Sequence, residues 1–237
     1  MRVYNKSPFP IWGQCGFQDR NSPLIVFVCD TYDLVSIVCV GVISLVMYVA
    51  VSFFFIKSWN YYFIGLERLE IVWVILPSLS LAGLILPSLH CLYLIDEVLS
   101  PAMRLKVVGH QWFWSYEYGD WENIEFDSYM IKLEELDSSC PFRLLEADLS
   151  VFIPYLTEVR AIVTSADVIH SWAIPIIGVK VDAIPGRLNH ALIYSFKIGT
   201  SYGQCSEICG AYHRFMPIKV TTLPKEDFIK WVKLFNN

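Results

Sequence analysis

Charge is scarce in this chain. Only 17% of its 237 residues are Asp, Glu, Lys or Arg, against about 25% in ordinary soluble domains. So few charges cannot clothe one or two water-exposed domains, which disfavours a purely cytosolic enzyme. No short repeat recurs and 55% of the residues are hydrophobic, which excludes a disordered or low-complexity protein. No long uncharged run follows residue 95, so a multi-span transporter fits poorly. Basic residues are outnumbered, 18 against 23, which leaves no cationic footprint for nucleic acid. The start of the chain has neither the apolar core and cleavage site of a signal peptide nor the acid-poor character of a transit peptide. These absences point to a membrane-anchored protein with one water-exposed domain.

Two uncharged runs stand at the front: 23 residues from Leu34 to Ile56 and 25 from Ile71 to Ile95. As helices they would reach roughly 34 and 37 Å, enough for a hydrocarbon core about 30 Å thick. Only Lys57 to Glu70 joins them, which predicts an antiparallel hairpin with both termini on one side. Pro77 and Pro87 fall inside the second run and should bend it unless neighbours compensate. Glu70 stands at its start, either as an acid favoured by the helix dipole or as a proton gateway at the membrane edge. Up to residue 95 acids and bases balance, five against five, so the formal charge of −5 belongs entirely to the rest.

Beyond Asp96 the apolar runs shorten and turn residues recur. Leu105–Val108, Trp112–Tyr118, Arg143–Ile153, Glu158–Thr164, Ala191–Ile198 and Phe215–Leu223 read as strands, a pattern that favours an all-β sandwich. After Pro224, the stripe Phe228, Trp231, Val232 and Phe235 predicts an amphipathic helix packed on that sandwich.

The stretch Tyr202 to Met216 carries the densest chemistry. Cys205 and Cys209 are followed by His213 and Met216, and soft sulfur with imidazole and a thioether suits electron-transfer copper. Two thiolates would allow two bridging sulfurs between two coppers, with His170, at the end of a predicted strand, as second imidazole. A Cys205–Cys209 disulfide and a structural zinc site compete with that assignment. The remaining cysteines read as small hydrophobes, and His90, His110 and His190 lack partners at ligand spacing. A second cluster, Gly109 to Tyr118, is rich in aromatics, which ordinarily means core, although an exposed indole can also receive an electron. Residues 117–137 have a net charge of −7, either a solvated face or a surface that steers a basic protein.

Six motifs in order, Gly109 to Tyr118, Phe126 to Met130, Arg143 to Asp148, His170 to Pro175, Lys180 to Arg187 and Tyr202 to Pro217, closely resemble those of subunit II of cytochrome c oxidase, the haem-copper terminal oxidase. The first 30 residues match none of its motifs. The resemblance implies a membrane-anchored all-β fold: an N-terminal two-helix transmembrane hairpin, then a cupredoxin-like β-sandwich and a C-terminal amphipathic helix. The corresponding divisions are a lead-in at 1–33, the hairpin at 34–95 and the copper domain at 96–237.

It further implies a dinuclear copper A centre on His170, Cys205, Cys209, His213 and Met216 with the Glu207 carbonyl, and a magnesium ion held by the Glu207 side chain beside subunit I. Trp112 would take electrons from cytochrome c, Asp120, Glu122, Asp127 and Asp167 would face that partner, and Glu70 would mark the mouth of a proton path. Haem and dioxygen reduction, with proton pumping, would lie in subunit I. Cytochrome c, subunit I, other oxidase subunits and membrane lipid are the implied partners. The implied setting is the mitochondrial inner membrane, with both termini and the copper domain in the intermembrane space. Quinol oxidase relatives, which lack the copper ligands, and a membrane-tethered copper carrier are the rival classes. Departures from the family pattern are Phe113, where tyrosine is common, Asn123, where an acid is frequent, and Arg214, a cation beside His213.

Overall fold

The computed structural model describes residues 9–11, 13–57, 62, 65–96, 100–121, 124–132, 134–136 and 142–235; Glu122, Asn123 and Cys140 lie outside them. The chain divides into two compact units, Phe27–Leu94 and the remainder.

Helix α1 (Pro23–Phe55) and helix α2 (Glu67–Asp96) supply the first unit. Helix α1 begins ahead of the uncharged run at Leu34 and takes in Asp30 and Asp33, because lack of charge limits what lipid accepts and not where a helix starts. Ser22 sets the start: its Oγ accepts the Ile25 N–H (3.1 Å) as an N-cap, with Pro23 at the favoured first position. Helix α2 opens at Glu67, so Glu70 lies within its first turn and does not open it. Both helices are long and apolar enough to cross a membrane, and their apolar stretches are bare, as a lipid solvent allows and water does not.

Ser52, Ser78 and Ser80 donate to the carbonyls of Tyr48, Val74 and Leu76 at 2.7, 2.7 and 3.0 Å, so these hydroxyls are satisfied inside their own helices. Helix α2 runs on through Pro77 and Pro87. Phe27 meets His90 edge-on at 5.3 Å, which puts the start of α1 beside the end of α2, the antiparallel hairpin expected.

The second unit contains β1 (Met103–His110), β2 (Phe113–Tyr118), β3 (Glu125–Ser128), β4 (Val151–Pro154), β5 (Val159–Ser165), β6 (His170–Ile174), β7 (Val179–Ala183), β8 (Asn189–Ile193), β9 (Gly199–Cys205), β10 (Pro217–Leu223) and α3 (Lys225–Phe235). Two five-stranded sheets, β3-β2-β1-β5-β8 and β4-β10-β9-β6-β7, face one another. The β1–β5 and β4–β10 pairs are parallel and the others antiparallel.

Alternating burial explains why β1 and β5 were legible as strands. All five residues of β6 are buried, so it offers no alternation to recognise, and His170 opens that strand instead of ending one. The expected strand at Arg143–Ile153 shrinks to β4, since Arg143–Leu145 form a turn with Leu144 at φ +71°. Trp112 likewise leaves β2: Gln111 and Trp112 make the two-residue turn between His110 and Phe113, which pair.

Trp114, Tyr116 and Tyr118 of β2 point inward and are essentially fully buried, against Ile153, Trp172, Ile174, Ile218 and Val220 of the facing sheet. Their polar atoms are largely served: Trp172 Nε1 donates to the Tyr116 hydroxyl (3.3 Å), and Tyr118 Oη donates to the Phe152 carbonyl and accepts its N–H, both at 2.8 Å. Helix α3 buries Phe228 and Val232, and its Trp231 meets Phe152 and Tyr118 at 5.0 and 5.2 Å.

A strap ahead of α1 also packs on the sandwich. The Asn21 N–H donates to the Ile176 carbonyl (3.2 Å), the Phe196 N–H to the Asn21 carbonyl (3.0 Å), and the Ser22 hydroxyl to the Ile177 carbonyl. Asp19 pairs with Lys197.

Candidate metal centre

Strands β9 and β10 are antiparallel neighbours, and the loop joining them carries Cys209, His213 and Met216. Cys205 closes β9, its N–H bonding the Met216 carbonyl at 3.1 Å, while the Ser206 N–H bonds the Ser171 carbonyl at 3.0 Å. These bonds shut the loop against β6, whose Trp172 pairs with Cys205, and bring His170 to the thiols. That approach needs Gly203, because a Cβ there would fall 1.9 Å from the Ala173 carbonyl oxygen.

The donors converge. The two Sγ atoms are 3.9 Å apart with both thiols free. His170 Nδ1 lies 3.9 Å from Cys205 Sγ, and His213 Nδ1 lies 3.6 Å from Cys209 Sγ. Met216 Sδ is 3.5 Å from Cys209 Sγ, and the Glu207 carbonyl oxygen is 3.4 Å from Cys205 Sγ. Each thiol thus has one imidazole beside it and one weaker donor. Ligand atoms of buried His170, Cys205 and Cys209 lie within 4.8 Å of one another, a group able to hold a metal.

Electrostatics divide the two thiols. Burial opposes ionisation of Cys205, but His170 and the backbone around Glu207 and Ser171 overcome it and lower its pKa to about 6. Burial and the neighbouring Cys205 push Cys209 up to about 12. Burial pulls His170 down, yet Cys205 and Asp167 outweigh it and hold the imidazole above its ordinary value.

Asp167 is the second layer of the site. Its Oδ1 accepts from His170 Nε2 (2.8 Å) and its Oδ2 from the Gln111 N–H (2.6 Å). The first bond directs Nδ1 toward Cys205. Gly109 makes room for the ring, since a Cβ there would lie 2.8 Å from His170 Cδ2. Gln111 Nε2 donates to the Cys209 carbonyl (2.8 Å). Gly109, Gln111 and Gly203 escape sequence reasoning because the atoms that need them belong to distant strands.

The other expected site residues are more dispersed. Trp112 is half-buried against Tyr212, ring to ring at 4.8 Å. The Glu207 side chain is exposed. Asp120 accepts from Arg104 Nε, Nη2 and backbone N at 2.9, 2.6 and 2.6 Å, and Asp127 accepts from the Ser115 hydroxyl at 2.6 Å. Lys106 faces Glu117 across β1–β2 and pairs with it, so the acidic run is partly neutralised by its neighbouring strand. Arg214 is exposed, and Phe113 stacks between His110 and Tyr129, 4.6 Å from each. Glu70 is exposed in the separate helical unit.

Comparison with known proteins bears on this geometry. The family described as Cytochrome C oxidase subunit II, periplasmic domain, matches residues 103–223, and its transmembrane domain matches residues 10–91. The latter match extends the likeness into the first 30 residues, contrary to the expectation from the six motifs. Cytochrome c oxidase subunit 2 of Simulium vittatum is 46% identical over 226 residues, covering 95% of this chain and 98% of that one. The same subunit of Drosophila melanogaster is also 46% identical, covering 95% and 99%. The solved periplasmic domain of subunit II of cytochrome oxidase of Bradyrhizobium japonicum is 42% identical with TM-score 0.54, covering 59% of this chain and 97% of that one. Bare membrane-length helices, a sandwich with a convergent thiol–imidazole cluster and likeness along nearly the whole chain lead to one conclusion: the chain is a membrane-anchored member of the cytochrome c oxidase subunit II family, part of an oxidoreductase, the haem-copper terminal oxidase.

Proposed function

We propose that this chain is the electron-accepting subunit of a mitochondrial cytochrome c oxidase, taking electrons from reduced cytochrome c at a dinuclear copper centre and passing them to haem in subunit I, where dioxygen is reduced with proton pumping. The observation that carries this reading is the convergence of six donors from His170, Cys205, Glu207, Cys209, His213 and Met216, with two thiols 3.9 Å apart at the middle. Six donors exceed the four a tetrahedral zinc site takes, and thiolate, imidazole and thioether together are soft ligands suited to copper. A bound copper pair would supply one-electron storage shared between two metals.

The protein's part is arrangement. Cys205, Cys209, His170 and His213 would hold the copper, with Met216 and the Glu207 carbonyl as the weaker donors. Burial of the cysteines, His170 and Met216 keeps water from the donors. Trp112, half-buried beside this loop, would receive the electron. Asp120, Glu122, Asp127 and Asp167 would face a basic partner, Glu122 from outside the described residues. The exposed Glu207 carboxylate would hold magnesium at the border with subunit I, and Glu70 would open a proton path. The hairpin would seat the chain in inner-membrane lipid, among the other oxidase subunits, with the copper domain in the intermembrane space.

Metal analysis of the assembled oxidase tests this reading. Copper of about two per chain beyond that of subunit I, with intense thiolate–copper absorption, is expected; copper-free thiols in active complex would refute it, and ready release of copper to an acceptor would mark a carrier.

A further inference from the structure

The turn that carries Trp112 is fastened to the metal loop by its neighbour. The Gln111 backbone N–H donates to Asp167 Oδ2 at 2.6 Å, and its side-chain Nε2 donates to the Cys209 carbonyl at 2.8 Å. Gly210, at φ +125°, lies directly beneath: a Cβ there would come within 3.2 Å of Gln111 Nε2 and Trp112 Cζ2, and within 3.3 Å of the indole nitrogen. That nitrogen is sealed from solvent and has no hydrogen-bond partner among the described residues. No polar contact of its own therefore orients the indole. Its place is set by packing on Gly210 and Tyr212 and by the anchored residue before it.

We infer that Gln111 is a positioning residue for electron uptake, its amide clamping the Trp112 turn onto the backbone of the Cys209 ligand and so fixing the gap between indole and metal loop. The inference rests on the proposed electron-accepting role of Trp112. Gln111 is uncharged, so the role is distinct from electrostatic steering, which acts on association and responds to salt. A gap altered by about 1 Å can cost a reaction up to about a hundredfold, which makes a single clamp worth keeping.

The test is Gln111→Leu in the assembled oxidase, which keeps side-chain bulk and the backbone bond to Asp167 but deletes the donor. Electron uptake from reduced cytochrome c in the saturated complex should fall about tenfold, with half-saturating concentration, salt dependence and copper content unchanged. Oxidative labelling of Trp112, read by mass spectrometry without cytochrome c present, should rise as the indole edge is uncovered. Gln111→Met, which likewise lacks the donor and adds no charge, should match it. Wild-type uptake and labelling in these variants would overturn the inference. Loss of copper would overturn it too, because the amide would then serve the metal loop itself, and a change confined to half-saturation would make Gln111 a partner contact. Trp112→Leu separates the two levels: if it leaves uptake intact, the role of Trp112 fails; if it is slow while Gln111→Leu is not, the clamp alone fails.

Discussion

A methyl group at position 109 has nowhere to go. It would lie 2.8 Å from His170 Cδ2 and 3.1 Å from Trp114 Cζ3, and Trp114 is locked in the core. The imidazole must yield, which strains its bond to Asp167. Gly109→Ala should therefore cost about 1–3 kcal/mol of stability, as overpacking does, and perturb the visible spectrum of the loaded metal site. Thermal unfolding and absorption together check this, and a variant normal in both would show that the ring is not held as described. At this scale the sequence is candid about donors and silent about what supports them. The spacing of Cys205, Cys209, His213 and Met216 is visible because one short stretch of chain, the last residue of β9 and the loop after it, carries all four. Asp167 is visible only as an acid; that its carboxylate is occupied by His170 and Gln111 depends on where the β1–β2 turn ends up in space.

Among the elements, the strap before α1 shows how one hydroxyl serves two backbones. Ser22 accepts from the Ile25 N–H and donates to the Ile177 carbonyl. Ser22→Ala removes an N-cap worth about 1 kcal/mol and leaves a buried carbonyl unpaired at a cost of about 1–3 kcal/mol. Denaturant unfolding should register a loss of roughly 2–4 kcal/mol, while Ser22→Thr, which retains the hydroxyl, should stay near wild type. Equal stability of the Ala variant would show that the strap bears little of the fold. Strand legibility follows the same physics. Strands with one buried face announce themselves, as β1 and β5 do, whereas β6 is hidden on all sides and β9 carries glycines at 199 and 203. The acidic run also misleads when read along the chain, because β1 sets Arg104 and Lys106 against Asp120 and Glu117.

For the sandwich as a whole, the buried phenols of Tyr116 and Tyr118 set an alkaline limit. Burial raises both far above the ordinary value of 10.0, more than their hydrogen bonds to Trp172 and Phe152 lower them. The folded protein keeps both protons while the unfolded chain releases them, so stability is complete below pH 10 and declines above it. By pH 11 each tyrosine should have cost about 1.4 kcal/mol. Tyr116→Phe should be less stable near neutrality, because it orphans the Trp172 N–H, yet decline less steeply above pH 10. Parallel slopes for variant and wild type, in urea unfolding as a function of pH, would contradict this.

The parallel pairing of β1 with β5 and of β4 with β10 carries a consequence for biogenesis. Met103 meets Val159 and Val151 meets Val220, contacts that a growing chain cannot make until long segments have emerged. His170 and the loop from Cys205 to Met216 become neighbours only within that finished scaffold. On the proposed reading, copper would then be taken up after folding, by a cup the surrounding strands have already shaped, and the aromatic interior would have to hold the domain together without help from a metal.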